Sequence, residues 1–203
     1  MTNPDRDEQR ALDAVDPDRA VALLVDLLAV PSISGSDAEI DIQHLLAKRM
    51  AELGLQVDLW PMDLPALVGA PGYPGAESER SQGWGLVATS VASPDDDAEP
   101  ALILQGHVDV VPAGDPTRWR SEAFTPTAVG HRIHGRGACD MKAGVAANRA
   151  AAAALAAAGF APADPSRCTA SSPRRTGGSG PLTPWPRGTP ARPASSPSRP
   201  TAR

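Results

Sequence analysis

Cysteine, aromatic side chains and long apolar runs are all scarce in this 203-residue chain. The two cysteines, Cys139 and Cys168, are too few for a disulfide framework and do not form a C-x-x-C zinc pair. No run of about 18 apolar residues occurs, which excludes an ordinary membrane-spanning helix. The opening MTNPDRDEQR is polar and lacks the apolar core of a secretory leader, so a soluble cytoplasmic protein is expected. Basic charge is also short, with a net charge of −5. An acidic protein with only seven aromatics is a poor candidate for binding nucleic acid, and no membrane partner is expected either.

The shortages are unevenly spread. Residues 161–203 hold 10 of the 22 prolines and seven arginines, with no lysine and Asp164 as their one acid, for a net +6. Residues 1–160 carry a net −11. The last 43 residues contain one Leu (Leu182), one Trp (Trp185) and no Val, Ile, Met or Phe. Such a segment cannot bury enough apolar surface to offset the entropy of ordering it. The division expected is a partial catalytic α/β domain over 1–160 and a disordered Pro/Arg-rich tail over 161–203.

Within the first 160 residues, helix and strand signals alternate, the pattern of an α/β fold. Asp16-Pro17 is an N-cap followed by proline at the first helical position, opening an apolar helix through Val30. Ser36 with Glu39 predicts a capping box for a second helix that runs past Met50 to a stop at Gly54. Strands are expected at 55–60, 84–91 and 132–134. A further short one at 101–104 is apolar throughout, as in a strand buried on both faces. Residues 61–82 and 112–130 read as loops, and Asp95–Asp97 as a solvated turn. An Ala-rich helix is expected from Met141 to Ala158, with Asp140 as N-cap and Gly159 just past its end.

Two elements carry chemistry. Gly106-His107-Val108-Asp109 follows directly on the apolar strand, and ligands of open α/β sheets bind at the carboxyl ends of strands. Asp109 can accept a hydrogen bond from one ring nitrogen of His107, leaving the other for a metal. The second element, Gly135-Arg136-Gly137-Ala138-Cys139-Asp140-Met141-Lys142, is a glycine-rich turn that delivers Asp140 to a helix start. Spacing alone also allows His107 and Asp109 to form a simple loop hydrogen bond, and Asp140 to be only an N-cap.

Taken together, LILQGHVDVVP (102–112), the loop with Trp119 and Phe124-Thr125-Pro126, and HGRGACDMKAG (134–144) resemble one family. It is the co-catalytic zinc metallopeptidases and amidohydrolases that include acetylornithine deacetylase, succinyl-diaminopimelate desuccinylase, aminoacylase and the glutamate carboxypeptidases. The likeness runs from about Arg19 to Gly159 and includes Val30-Pro31-Ser32-Ile33-Ser34-Gly35. The long 61–82 loop is similar to the deacetylase/desuccinylase branch, and Ala143 departs from the family's usual second glycine.

The resemblance implies a zinc-peptidase-like α/β/α catalytic domain that hydrolyses an amide bond in N-acyl amino acids or small peptides. It implies metal ligands at His107 and Asp140, the latter bridging two zincs, and a catalytic role for Asp109 as orienter of His107. It also implies a non-proline cis peptide at Asp140–Met141. Zinc is the expected cofactor, two per site in intact members, with cobalt or manganese as alternatives. Intact members form homodimers.

The family also supplies a Glu-Glu pair and further ligands downstream, and here the chain departs from it. After Asp140 there is no Glu, no His and one Asp. If Pro173 to Gly178 were encoded CCG AGG AGG ACG GGG GGN, dropping two bases would read Glu-Glu-Asp-Gly-Gly. The same shift of CCG AGC CGA CCN for Pro197 to Pro200 reads Glu-Pro-Thr, a second family motif. A truncated chain, frameshifted from somewhere in 161–168, is therefore expected, and inactivity with it. The alternative is a non-catalytic fragment or a metal-free binding remnant of the fold.

Other candidates carry less. His131 and His134 form H-x-x-H without the surrounding metalloprotease motif, and His44 lies on an amphipathic helix. Cys139 is expected to pack the glycine turn as a buried thiol. Arg136 and Lys142 could touch substrate or support the turn.

Overall fold

The computed structural model describes residues 5–69, 71, 73, 75, 76, 78–90, 102–160 and 166–171, the last six by backbone alone. Helix α1 spans Arg6–Asp13 under an Asp5–Glu8 capping box and buries no side chain. Helix α2, Pro17–Ala29, begins as its sequence predicts: Asp16 accepts from the Arg19 amide and proline holds the first position. Helix α3, Asp37–Ala51, leads to strand β1, Gln56–Pro61. A short helix α4, Leu64–Gly69, sits within the segment read as loop. Strands β2, Trp84–Thr89, and β3, Leu102–His107, follow. A small antiparallel hairpin comprises β4, Thr127–Val129, and β5, Arg132–His134. Helix α5 is Ala143–Ala157 and strand β6 is Ser166–Ser171. No described helix is long and apolar enough to cross a membrane.

The main sheet has the order β1-β2-β6-β3. β1 pairs antiparallel with β2, β2 antiparallel with β6, and β6 parallel with β3. The parallel step β3–α5–β6 is the crossover that α/β folds use, since parallel neighbours need a long connection. One apolar cluster joins the layers: Leu23 and Leu27 from α2, Ile42, Leu46 and Met50 from α3, Leu86 and Ala88 from β2, and Val145 and Ala146 from α5. The α/β class expected from the sequence is the class observed.

Four local expectations need correction. The Ser36–Glu39 capping box does not form: Ser36 Oγ donates to the Ile33 carbonyl instead. Glu39 reaches back to the Gly35 amide at 2.6 Å, because Arg80 holds its other oxygen at 2.7 Å. Strand β3 is not buried on both faces; Leu102 and Ile103 are 44% and 46% exposed. Among the described strands β3 lies at a sheet edge, where these two side chains are open to solvent. Asp140 does not cap α5, whose N-cap is Lys142. Finally, β6 falls inside 161–203, the segment assigned to a disordered tail. Its backbone bonds to strands on both sides hold it, and Ser-Arg-Cys-Thr-Ala-Ser carries no apolar pattern to announce this. The Asp95–Asp97 turn and everything after Ser171 lie outside the described residues.

Candidate metal centre

The site is assembled where three chain segments meet. β3 ends on His107, and the buried Val108, Asp109 and Val110 continue past the sheet edge. The Ser32–Gly35 loop is stitched alongside: the Val110 amide donates to the Ser32 carbonyl at 2.9 Å, and the Ser34 amide to the Val110 carbonyl at 3.1 Å. Ser32 Oγ adds a bond to the Val108 carbonyl at 2.7 Å. The glycine turn supplies the third segment. Gly137 has φ +84°, and a Cβ there would stand 2.5 Å from Val110 Cγ1, so both backbone conformation and space require glycine. Met141 follows Asp140 across a cis peptide, as the family resemblance implied. Both residues have non-helical dihedrals, which swing the Asp140 carboxylate out of the helix line.

His107 Nε2 lies 3.0 Å from Asp140 Oδ1. On the other side of the ring, Nδ1 is 3.1 Å from the Asp109 carbonyl and 3.3 Å from Asp109 Oδ1. Asp109 is fully buried, whereas the Asp140 side chain is 63% exposed. Burial pushes the Asp109 carboxyl up. The neighbouring His107 ring and the Ser34 hydrogen bond, with the charges of His107 and Arg80, outweigh it and hold the group below the usual carboxylate range. Asp109 is therefore an anion at neutral pH; its carbonyl is the hydrogen-bond acceptor for Nδ1 and its carboxylate a charge contact beside it. That leaves Nε2 directed at Asp140.

Lys142 closes the turn from beneath. Its side chain is wholly buried, and Nζ donates to the carbonyls of Leu27 and Val30 at 2.8 and 2.9 Å. These belong to the C-terminal end of α2, where carbonyls lack helical partners and carry partial negative charge. Burial draws the amine down from 10.5 to about 8, against an opposing pull from Asp109. Of the two roles open to Lys142, support of the turn is the one its contacts describe. Arg136 does similar work: its Nη2 donates to the Ala113 carbonyl at 3.2 Å and its guanidinium lies 5.0 Å over the Trp119 ring.

The three sequence-predicted site residues, His107, Asp109 and Asp140, are brought together. Cys139 is exposed rather than packed into the turn, a correction that follows from the non-helical backbone beside it. His44 is exposed on α3 with its ring 5.0 Å from Trp84, and His131 and His134 are exposed at the ends of β5. Ser34, Glu39 and Arg80 escaped the sequence reading as site residues. The apolar periodicity around them is silent on polar contacts, and Ser34 meets Asp109 across 75 positions of chain.

An imidazole nitrogen and a carboxylate oxygen are suitable donors for zinc. Two such donors on one tetrahedral zinc, at bonds of about 2.0–2.1 Å, would stand roughly 3.3 Å apart, close to the observed 3.0 Å. The pair fits a divalent metal in kind and spacing. In number it supplies two donors, and among the described residues no group of three or more His, Cys, Asp or Glu forms. Beside it lies a cavity of about 580 Å³ lined in part by Asp140, Trp119, Ile133 and three arginines, Arg118, Arg120 and Arg136.

Residues 103–171 match the sequence profile described as Peptidase family M20/M25/M40. The chain is 33% identical over 129 residues to succinyl-diaminopimelate desuccinylase of Variovorax paradoxus, a stretch covering 64% of this chain and 29% of that protein. It is 35% identical over 125 residues to the Coxiella burnetii enzyme of the same name, covering 62% and 27%. This chain thus spans under a third of the length of these curated relatives. In fold it is similar to human carnosine dipeptidase 1, with a TM-score of 0.62 at 21% identity over 84% of this chain and 35% of that one. An M20 family metallo-carboxypeptidase from Sulfolobus solfataricus superposes with a TM-score of 0.54 at 21% identity, covering 75% and 30%.

Proposed function

We propose that this chain, whose residues 103–171 match peptidase family M20/M25/M40, is the N-terminal part of the catalytic domain of a metal-dependent hydrolase. Its bond is an amide in N-acyl amino acids or small peptides, and the relatives named desuccinylase favour an N-acyl substrate. The observation that carries this reading is the approach of His107 Nε2 to Asp140 Oδ1 at 3.0 Å where β3 ends and the glycine turn begins.

In this reading His107 and Asp140 hold the metal, zinc first and cobalt or manganese as alternatives. Bound there, such a metal supplies a Lewis acid and an activated water for attack on the amide carbonyl. Asp109 keeps the Nδ1 proton on His107 through its carbonyl at 3.1 Å and its carboxylate at 3.3 Å, which fixes the ring and keeps Nε2 basic. The arginines lining the adjacent cavity suit the anionic end of an acyl or amino-acid substrate. A homodimeric, cytoplasmic whole enzyme belongs to the same proposal.

One observation favours a second reading for the 203 residues alone. Two donors with no third among the described residues make a weak, incomplete site, so the chain as it stands is proposed to be inactive. A shifted frame beginning somewhere in 161–168 would account for the absent Glu-Glu pair. Zinc content and deacylase activity of the purified chain test the pair of readings. Bound zinc below one equivalent without turnover is expected, and two equivalents with turnover would overturn the inactive-fragment reading. Codons for residues 172–203 that fail to give both Glu-containing motifs in one frame would refute the frameshift.

A further inference from the structure

A fully buried carboxylate is costly to leave without donors. On Asp109 one oxygen has one: Ser34 Oγ donates to Oδ2 at 2.6 Å. Oδ1 has no hydrogen bond and faces His107 Nδ1 as a charge contact at 3.3 Å. The Ser34 bond is made by a residue that is itself held. The Ser34 amide is tied to the Val110 carbonyl. The next amide, Gly35, donates to Glu39 Oε2 at 2.6 Å. Glu39 Oε1 is clamped by Arg80 Nη1 at 2.7 Å, in an ion pair whose side chains are only 5% and 8% exposed. A Cβ on Gly35 would lie 2.5 Å from the Glu79 carbonyl oxygen, so the Arg80 segment also presses directly on this loop. The chain of contacts runs unbroken from Arg80 through Glu39, Gly35 and Ser34 to Asp109 and His107.

We propose that Ser34 is a positioning residue for the metal centre: its hydroxyl, the one hydrogen-bond donor to the Asp109 side chain among the described residues, holds the carboxylate with its other oxygen facing His107 Nδ1, so that the ring presents Nε2 to Asp140. Without the hydroxyl, Oδ2 loses its short bond and the carboxylate is free to turn, letting the imidazole turn with it. Glu39 and Arg80 act one step further back, by holding the Ser34 backbone in place. The inference builds on the metal-centre reading, yet it concerns a contact inside the chain and is testable without metal.

The test uses the full 203-residue chain and its Ser34→Ala, Ser34→Thr and Ser34→Cys variants. In metal-free protein, proton NMR follows the downfield Nδ1–H of His107, which a buried Asp109 shields from exchange with water. Ser34→Ala is expected to broaden or abolish this resonance while leaving far-UV circular dichroism and the ring signals of His44, His131 and His134 unchanged; Ser34→Thr keeps it. Cobalt(II) titration, with the ion alone as probe, should show about 10-fold weaker binding for Ser34→Ala and recovery in Ser34→Thr, the size of effect seen for partners of metal-bound histidines. An unaltered Nδ1–H in Ser34→Ala overturns the proposal, as does a Ser34→Thr variant that behaves like alanine. If Ser34→Ala does not fold, the Cys and Thr variants decide: loss in Cys with retention in Thr supports the role, and the same signal in both refutes it. Absence of any cobalt binding in the unaltered chain would count against the metal-centre reading alone, since the Nδ1–H result still decides the role of Ser34.

Discussion

Replacing Glu39 by alanine is expected to be among the most damaging single changes available in α3. Glu39 makes two short bonds, 2.7 Å to Arg80 Nη1 and 2.6 Å to the Gly35 amide, in a place where both ionic side chains are nearly dry. Truncation leaves the Arg80 charge buried without its partner and the Gly35 N–H without an acceptor. Breaking a buried pair from one side costs about 3–5 kcal/mol, and the lost amide bond falls partly within that figure because water entering the gap serves both groups. With domain stabilities near 5–15 kcal/mol, the variant should be marginal. Urea unfolding of the 203-residue chain, followed by circular dichroism, gives the number. At a slope near 2 kcal/mol per molar, a loss of about 4 kcal/mol moves the midpoint down by roughly 2 M. Replacing both ions, Glu39→Leu with Arg80→Met, should recover about 2 kcal/mol of that, since no charge is then stranded and only the Gly35 amide stays unmet. A Glu39→Ala midpoint within about 0.5 M of the parent, or a double variant no better than the single one, would refute the assignment of this pair as a buried clamp on the Gly35 loop.

Three further outcomes are expected. Leu27→Ala empties a site with no exposure in the core shared by α2, α3, β2 and α5 and should cost about 2–5 kcal/mol in the same urea assay. Gly106→Ala places a Cβ 2.6 Å from Val145 Cγ2 where β3 passes α5, and should cost about 1–3 kcal/mol as overpacking. Lys142 has a folded pKa of about 8 against an ordinary 10.5, so between these values the unfolded chain binds more protons than the folded one. Stability contributed by Lys142 therefore rises with pH from about 8 to 10.5, by no more than about 3.4 kcal/mol, and is lost again as pH falls from 10.5 to about 8. Lys142→Met should remove this slope from a pH series of unfolding midpoints; a slope of unchanged size in that variant would show that another group produces it.

The chemistry-bearing residues were legible because they are local. His107 and Asp109 sit two apart at a strand end, and a glycine turn that delivers Asp140 has a compositional signature in Gly135 and Gly137. The α2 start was legible for the same reason, since an N-cap aspartate and a first-turn proline act within one turn of helix. The Ser36–Glu39 pattern misled because it is satisfied by two competing arrangements. Arg80, 41 residues along the chain from Glu39, decides between them. The continuous apolar run of β3 suggested burial on both faces, but a strand's apolarity cannot say whether its neighbours are present.

Sequence alone thus determined the α/β class and the family likeness, and through that likeness named His107, Asp109 and Asp140 as candidate site residues, because motif residue types and short spacing are local properties. Tertiary structure decided everything that requires two distant segments to meet. It set the 3.0 Å approach of His107 to Asp140, the burial of Lys142 under the end of α2 and the insertion of β6 between β2 and β3. It also decided that Asp109 answers to Ser34 as well as to His107. The physical reason is the same throughout: a buried polar group must be satisfied by whatever the fold brings within about 3 Å, and chain position does not reveal which group that will be.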